Sequence, residues 1–148
     1  MKYYKGCAIK RHQQKGNTVL LHCCNAQGVM GAGIARQIKL AYPKTYRAYL
    51  ESHNLGDVSY DEDDMVMNLT AQEYVGTDQR QVHYGHLSWC LFKVKGYLNF
   101  IHKNIGEEPV TVVIPYKMAS DLAGGDWEVV RELCEVIFKE FNIEVWEL

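Results

Sequence analysis

The chain has 148 residues, 47% of them hydrophobic and 23% charged, a globular balance that fits one domain spanning residues 1–148 and excludes a large multidomain enzyme. Sixteen Lys and Arg against eighteen Asp and Glu leave a formal charge of −2, so non-specific binding to a phosphate backbone has little electrostatic support and no nucleic-acid partner of that kind is expected. Five cysteines, odd in number and irregularly spaced, read as free thiols of a reducing, cytoplasmic compartment; no apolar run is long enough to span a membrane, and a soluble monomer is expected.

Apolar periodicity places the elements in chain order. Lys2 to Cys7 reads as a short strand, and Thr18 to Cys24 (TVLLHCC) as a strand buried on both faces. Asn25 to Gly33 is a loop with three glycines, leading into a helix in which Ile34, Ile38 and Ala41 share a face. Pro43 breaks that helix and starts another, which carries Tyr46, Tyr49, Leu50 and His53 and ends at Asn54 to Gly56. An acidic surface loop, Tyr60 to Asp64, precedes a strand from Met65 to Gln72, and Gly76 to Arg80 forms a polar loop. Leu87, Leu91, Val94, Leu98 and Ile101 step along a core-facing helix, interrupted by Gly96. Val110 to Pro115 is a further buried strand, Tyr116 to Gly125 a second glycine-bearing loop, and Trp127 to Phe141 a helix that Asp126 can cap; Ile143 to Trp146 closes the chain as a strand. Strands alternating with helices define one α/β domain with helices on both faces of a sheet.

Both glycine loops follow buried strands and precede helices, the position where α/β folds bind ligands. The helix N-terminus there offers unpaired N–H groups and the positive end of a dipole, so two facing loops can clamp a small diphosphate. Known phosphate motifs fit poorly. GVMGAGIA lacks the Lys-Ser/Thr of a P-loop, and GAGIAR puts Arg36 where a dinucleotide fingerprint wants a third Gly or Ala.

His22 lies near the end of the apolar strand, and strand alternation turns His22 and Cys24 to one face and Cys23 to the other. Two readings stand for His22: a core histidine satisfied by a backbone carbonyl, or an acid/base or phosphate-binding group at the ligand loop. His83 and His86 are spaced as a metal pair would be, but no further ligands cluster nearby, and neither a metal nor a cofactor is expected. Asp126 is explained as a helix cap; Asp121, with no such explanation, is the better candidate for a ligand hydroxyl.

The stretches VLLHCCNAQGVMGAGIARQIKLAYP (Val19 to Pro43) and VVIPYKMASDLAGGDWEVV (Val112 to Val130), with the closing VWEL, resemble the macro domains, three-layer α/β/α modules with a central mixed sheet that bind ADP-ribose. The likeness extends more weakly to YYKG and NLTAQE, and within the family it is closest to the small single-domain branch containing ADP-ribose 1″-phosphate phosphatases and terminal ADP-ribose protein glycohydrolases.

The resemblance implies a small-molecule ligand, ADP-ribose or a derivative, and a hydrolase, with phosphatase activity on ADP-ribose 1″-phosphate first, ADP-ribosyl hydrolysis second and pure binding third. It implies that Asn25 contacts the distal ribose, that Gly31, Ala32, Gly33, Ile34 and Ala35 surround the ribose and diphosphate, and that Leu122, Ala123, Gly124 and Gly125 form the second phosphate loop. In phosphatase members a histidine holds the place of His22, so His22, Asn25 and Asp121 are the catalytic candidates. The chain departs from the family pattern in three places. Cys7 and Ala8 follow Gly6 where many members carry an adenine-contacting Asp, Gln72 and Ala123 replace the glycohydrolase Lys and Asp, and Ala119-Ser120-Asp121 replaces Gly-x-Gly.

Overall fold

The computed structural model describes residues 1–14, 16–74, 82–105, 110–120 and 124–148, with backbone alone for 101–105. The elements run β1 (Lys2–Lys5), α1 (Ala8–Gln13), β2 (Thr18–Asn25), α2 (Gly33–Ala41), α3 (Pro43–Glu51), β3 (Val58–Ser59), β4 (Val66–Gln72), α4 (Tyr84–Ile105), β5 (Thr111–Pro115), α5 (Trp127–Ile137) and β6 (Asn142–Glu147). They build one six-stranded sheet in the order β1-β6-β5-β2-β4-β3, parallel throughout except for the antiparallel β3–β4 pair. This is the mixed sheet expected from the sequence. No helix among the described residues is long and apolar enough to cross a membrane.

Alternation along the central strands sorts the core into two layers. Val19 and Leu21 of β2, Met67, Leu69 and Ala71 of β4, and Val112 and Ile114 of β5 face α4 and α5. Leu20, Val66 and Val113 face the other way, against Ala8 and Ile9 of α1 and Ile38 of α2. Helices therefore cover both faces of the sheet, and the near-continuous apolar run of β2 is explained by burial on both sides.

Two elements depart from the sequence reading. The first strand stops at Lys5; Gly6 turns at φ +140° against the Trp146 ring, and Cys7 starts the six-residue α1, too short to show a helical repeat. The two-residue β3 pairs with Leu69 and Asn68 and likewise carries no pattern of its own. The Gly76 to Arg80 loop lies outside the described residues.

The strand β6 is locked to α1 by Arg11, whose Nε and Nη2 donate to Glu144 Oε1 (2.8 Å) and Oε2 (3.2 Å), while the Trp146 indole N–H donates to the same carboxylate at 2.9 Å. Burial pushes the Glu144 carboxyl up, but the Arg11 and Trp146 bonds outweigh it and hold the group below its ordinary value. A carboxylate held low contributes stability that is complete above the unfolded value, near ~4.3, and is lost as pH falls through the lower folded one. Replacing Glu144 with Gln should therefore cost about 2 kcal/mol at neutral pH in urea unfolding, with the gap between variant and wild type closing towards about pH 3.

Candidate functional site

The site follows from the topology. From β2 the chain leaves through α2 and α3 to β4 on one side; from β5 it leaves through α5 to β6 on the other. β2 and β5 are neighbours, so their outgoing loops diverge at the carboxyl end of the sheet and open a crevice there, as α/β sheets do at such a switch point. The loops in question are residues 26–32 and 116–126, the two glycine-bearing segments singled out from the sequence.

The first loop is built around Asn25. The β2–β4 register shifts between Cys24 and Asn25, so that Asn25 pairs with Gln72, and Ala26 N–H donates to the Gln72 carbonyl at 2.8 Å. Asn25 Oδ1 accepts from the N–H groups of Gln27 (3.1 Å) and Val29 (3.2 Å), and its Nδ2 donates to the Val29 carbonyl (2.6 Å). The Tyr49 hydroxyl, brought in by α3, donates to the Asn25 carbonyl and lies 2.9 Å from its Oδ1. Burial pushes the Tyr49 hydroxyl pKa up, so it is a permanent donor. Asn25 is thus the organiser of its own loop, a role shared with Tyr49 that nothing in the sequence flagged.

Beyond this turn, Gly31 and Ala32 are exposed and Gly33, at φ +59°, begins α2. Ala32 sits at the cap position in extended geometry with no side chain to close the helix, and the first turn holds no acidic residue. The first-turn N–H groups of Gly33, Ile34 and Ala35 thus receive no side-chain cap from Ala32 and sit at the positive end of the helix dipole, with no lysine or arginine between Asn25 and Ala35.

The second loop is shaped by strain and close approach. Lys117 and Ala119 both take positive φ, +61° and +63°, and Gly125 N–H donates to the Ala119 carbonyl at 3.0 Å. A Cβ on Gly125 would stand 2.4 Å from that carbonyl oxygen and 2.8 Å from Val82 Cγ1, so only glycine fits. Gly124 is exposed at φ +73°. Asp126 caps α5 by accepting from Glu128 N–H at 2.9 Å, and its own N–H donates to the Tyr84 hydroxyl at 2.8 Å, bracing the loop against α4. Asp121, Leu122 and Ala123 lie outside the described residues.

His22 is not brought to the crevice surface. It is 1% exposed, on the α2/α3 face of the sheet with Cys24, as alternation requires; Cys23 packs on the opposite face. Its Nε2 lies 2.6 Å from Asn68 Oδ1, and Asn68 Nδ2 donates to the Thr45 carbonyl (3.0 Å) and Ser59 Oγ (3.1 Å). Those two bonds fix the amide, so Nε2 is the protonated nitrogen, and the Cys24 thiol stands 3.6 Å from Nδ1. The histidine is satisfied by a side chain rather than by the backbone carbonyl anticipated from sequence. Burial lowers its pKa from 6.5 to about 4, so it is neutral at physiological pH. Burial also pushes the Cys23 thiol up to about 12 and Cys24 well above its ordinary value, leaving neither as a thiolate nucleophile.

Of the histidine pair, His83 Nε2 stands 3.1 Å from Glu73 Oε2 and its ring packs edge-on against His86, with centroids 5.5 Å apart. No group of three or more His, Cys, Asp or Glu suited to a metal ion occurs among the described residues.

This three-layer α/β/α architecture, with two glycine-bearing loops at the carboxyl ends of β2 and β5, defines a class, and comparison with known proteins narrows it. No family model matches the chain. A macrodomain protein from Streptomyces coelicolor superposes with a TM-score of 0.73 at 21% identity, covering 99% of this chain and 98% of that one: the chain has the macro-domain fold. An ADP-ribose 1″-phosphate phosphatase of Meyerozyma guilliermondii is 37% identical over 51 residues, 34% of this chain and 29% of that protein. A DNA ADP-ribosyl glycohydrolase of Thermus aquaticus is 27% identical over 134 residues, 86% of this chain. The matched stretch spans only 36% of that second protein, so both curated relatives are far longer than their shared part.

Two outcomes are expected. Gly125→Ala should lower stability by about 2 kcal/mol or more in denaturant unfolding, because the added methyl meets backbone and not a yielding side chain. A histidine buried in its neutral form contributes stability that is complete above its unfolded value of 6.5 and declines as pH falls towards about 4. His22→Gln should therefore flatten part of the fall in melting temperature between those pH values.

Proposed function

We propose that the protein binds ADP-ribose or a derivative in the crevice between the two glycine loops and hydrolyses the substituent on the distal ribose, with ADP-ribose 1″-phosphate as the first substrate to test. The observation that carries the reading is the uncapped, acid-free N-terminus of α2 behind Gly31-Ala32-Gly33, together with the strained loop that ends at Gly124-Gly125 after the neighbouring strand β5. Backbone N–H groups of Gly33, Ile34 and Ala35 would hold the diphosphate from one side and the loop from Lys117 to Gly125, with Leu122 and Ala123, from the other. The same donors are suited to charge developing on a transferring phosphoryl group. The fold and the name of the yeast relative support the assignment.

Within it, the roles of the candidate residues are distributed by accessibility. Asn25 shapes the turn on which the distal ribose would rest, its amide being spent on Gln27, Val29 and Tyr49. His22 acts from behind as a neutral support, tying β2 to β4 three register pairs before that turn. Asp121 is the remaining candidate for orienting a water. A second reading, a binding module without turnover, is favoured by the burial of His22 and its low proton affinity, which remove the obvious acid from the crevice.

Calorimetry with ADP-ribose and phosphate release from ADP-ribose 1″-phosphate separate the two: binding with release supports the enzyme, binding without release the module, and no binding sinks both. Ala32→Asp gives a sharper check, because Ala32 already has the extended geometry of a helix cap. A carboxylate there should stabilise the fold by about 1 kcal/mol while repelling an anion from the same N–H groups. The expected result is a higher melting temperature together with loss of ADP-ribose affinity.

A further inference from the structure

Helix α4 is apolar on two opposite faces. Leu87, Cys90, Leu91, Val94 and Leu98 are buried in the main core cluster. On the side turned away from the core run Gly85, Trp89, Phe92, Gly96 and Phe100, spaced by four, three, four and four residues, so that they form one stripe. All five are exposed, Trp89 by 59%, Phe92 by 54% and Phe100 by 63%. A surface helix keeps polar and charged groups on its outer face, and one that is apolar on both faces is normally covered on both.

Gly96 has no purpose within the chain's own packing. It lies inside the helix, where glycine is less favourable than alanine, and a Cβ built on it would meet nothing within 4 Å. What it supplies is a notch in the outer surface, one turn from Phe92 and one turn from Phe100. Charge is kept off the stripe. The Lys93 ammonium turns back to lie 5.5 Å from the Trp89 ring centre and donates to the Gly56 carbonyl at 2.7 Å, and Lys95 is half-buried.

Run in the opposite direction, the stripe fits itself. Two copies of α4 laid antiparallel about a two-fold axis level with Val94 bring each Phe92 ring over the partner's Gly96 and each Trp89 beside the partner's Phe100. A ring seated in a glycine notch is ridge-into-groove packing, which lets helix axes approach to about 8–10 Å. Three rings per copy, each offering roughly 150–250 Å² of which more than half is exposed, supply about 600 Å² of apolar surface to a symmetric pair. With the flanking His86, Lys93 and Asn99, all exposed, the contact comes to about the 1,000 Å² that a specific interface needs.

We infer that the outer face of α4 is a homodimer interface whose occupant is α4 of a second copy, antiparallel, with Phe92 in the notch at Gly96. The inference is independent of what the crevice binds. It departs from the monomer expected from composition, which does not register where on the surface apolar residues collect. A lipid surface would also take up the rings, but it gains nothing from a notch between them.

Sedimentation of the full chain over concentrations from about 1 μM to about 1 mM tests this, with a dimer expected to form at a dissociation constant on the order of 10–100 μM. Trp89→Ala and Phe92→Ala should each weaken the dimer about tenfold or more. Gly96→Gln should weaken it as much, because the added side chain occupies the notch. At concentrations where the chain is monomeric, the same variant should melt at or above the wild-type temperature, since it replaces a helix-interior glycine in open space. A chain that stays monomeric throughout, including one captured instead by vesicles of phosphatidylcholine and phosphatidylserine, would overturn the inference. So would a dimer that keeps its strength in both Phe92→Ala and Gly96→Gln. A lower melting temperature for monomeric Gly96→Gln would assign the glycine to the chain's own fold and count against the inference as well.

Discussion

The hydroxyl of Tyr49 bonded to Asn25 is the contact on which the crevice depends. β2 is buried on both faces and must release its chain at the carboxyl end without leaving polar backbone unpaired. The register shift at Cys24/Asn25 achieves this by turning Asn25 into the hub of a small loop, and α3 delivers the hydroxyl that secures it. With that turn fixed, the chain reaches Gly33 and the uncapped start of α2. Beneath it, the His22–Asn68 pair and its ties to Thr45 and Ser59 join β2, β4, α3 and β3 into one polar seam inside an otherwise apolar layer. A buried seam of this kind is favourable only when fully satisfied, which fixes one arrangement of the strands under the loop.

In the proposed reading, anion binding at the crevice rests on backbone geometry more than on charge. With no lysine or arginine between Asn25 and Ala35, attraction comes from oriented N–H groups and the helix dipole, which act at short range and select for a compact diphosphate. The nearest cations in sequence, Arg36 on α2 and Lys117 at the start of the second loop, flank these two segments.

Much of this was legible in the sequence. The glycine-loop positions followed from buried strands preceding helices, the opposed faces of Cys23 and Cys24 from strand alternation, and the Asp126 cap from its place before Trp127. The elements that escaped were too short to have a period, α1 and β3. The site residues that escaped were those whose role is set by partners distant in the chain: Tyr49 looked like one more apolar position on an amphipathic helix, and the partner of His22 lies 46 residues away on β4. A glycine pattern announced Gly125, but the reason only glycine fits there is the Ala119 carbonyl, which no local signal reveals.

The central claim is that backbone amides of the two loops hold the ligand. An amide-resolved NMR titration with ADP-ribose tests it most directly. The account predicts that the largest shifts fall on the N–H groups of Gly31, Gly33, Ile34, Ala35, Gly124 and Gly125. Shifts confined to other parts of the chain, or none at saturating ligand, would contradict it.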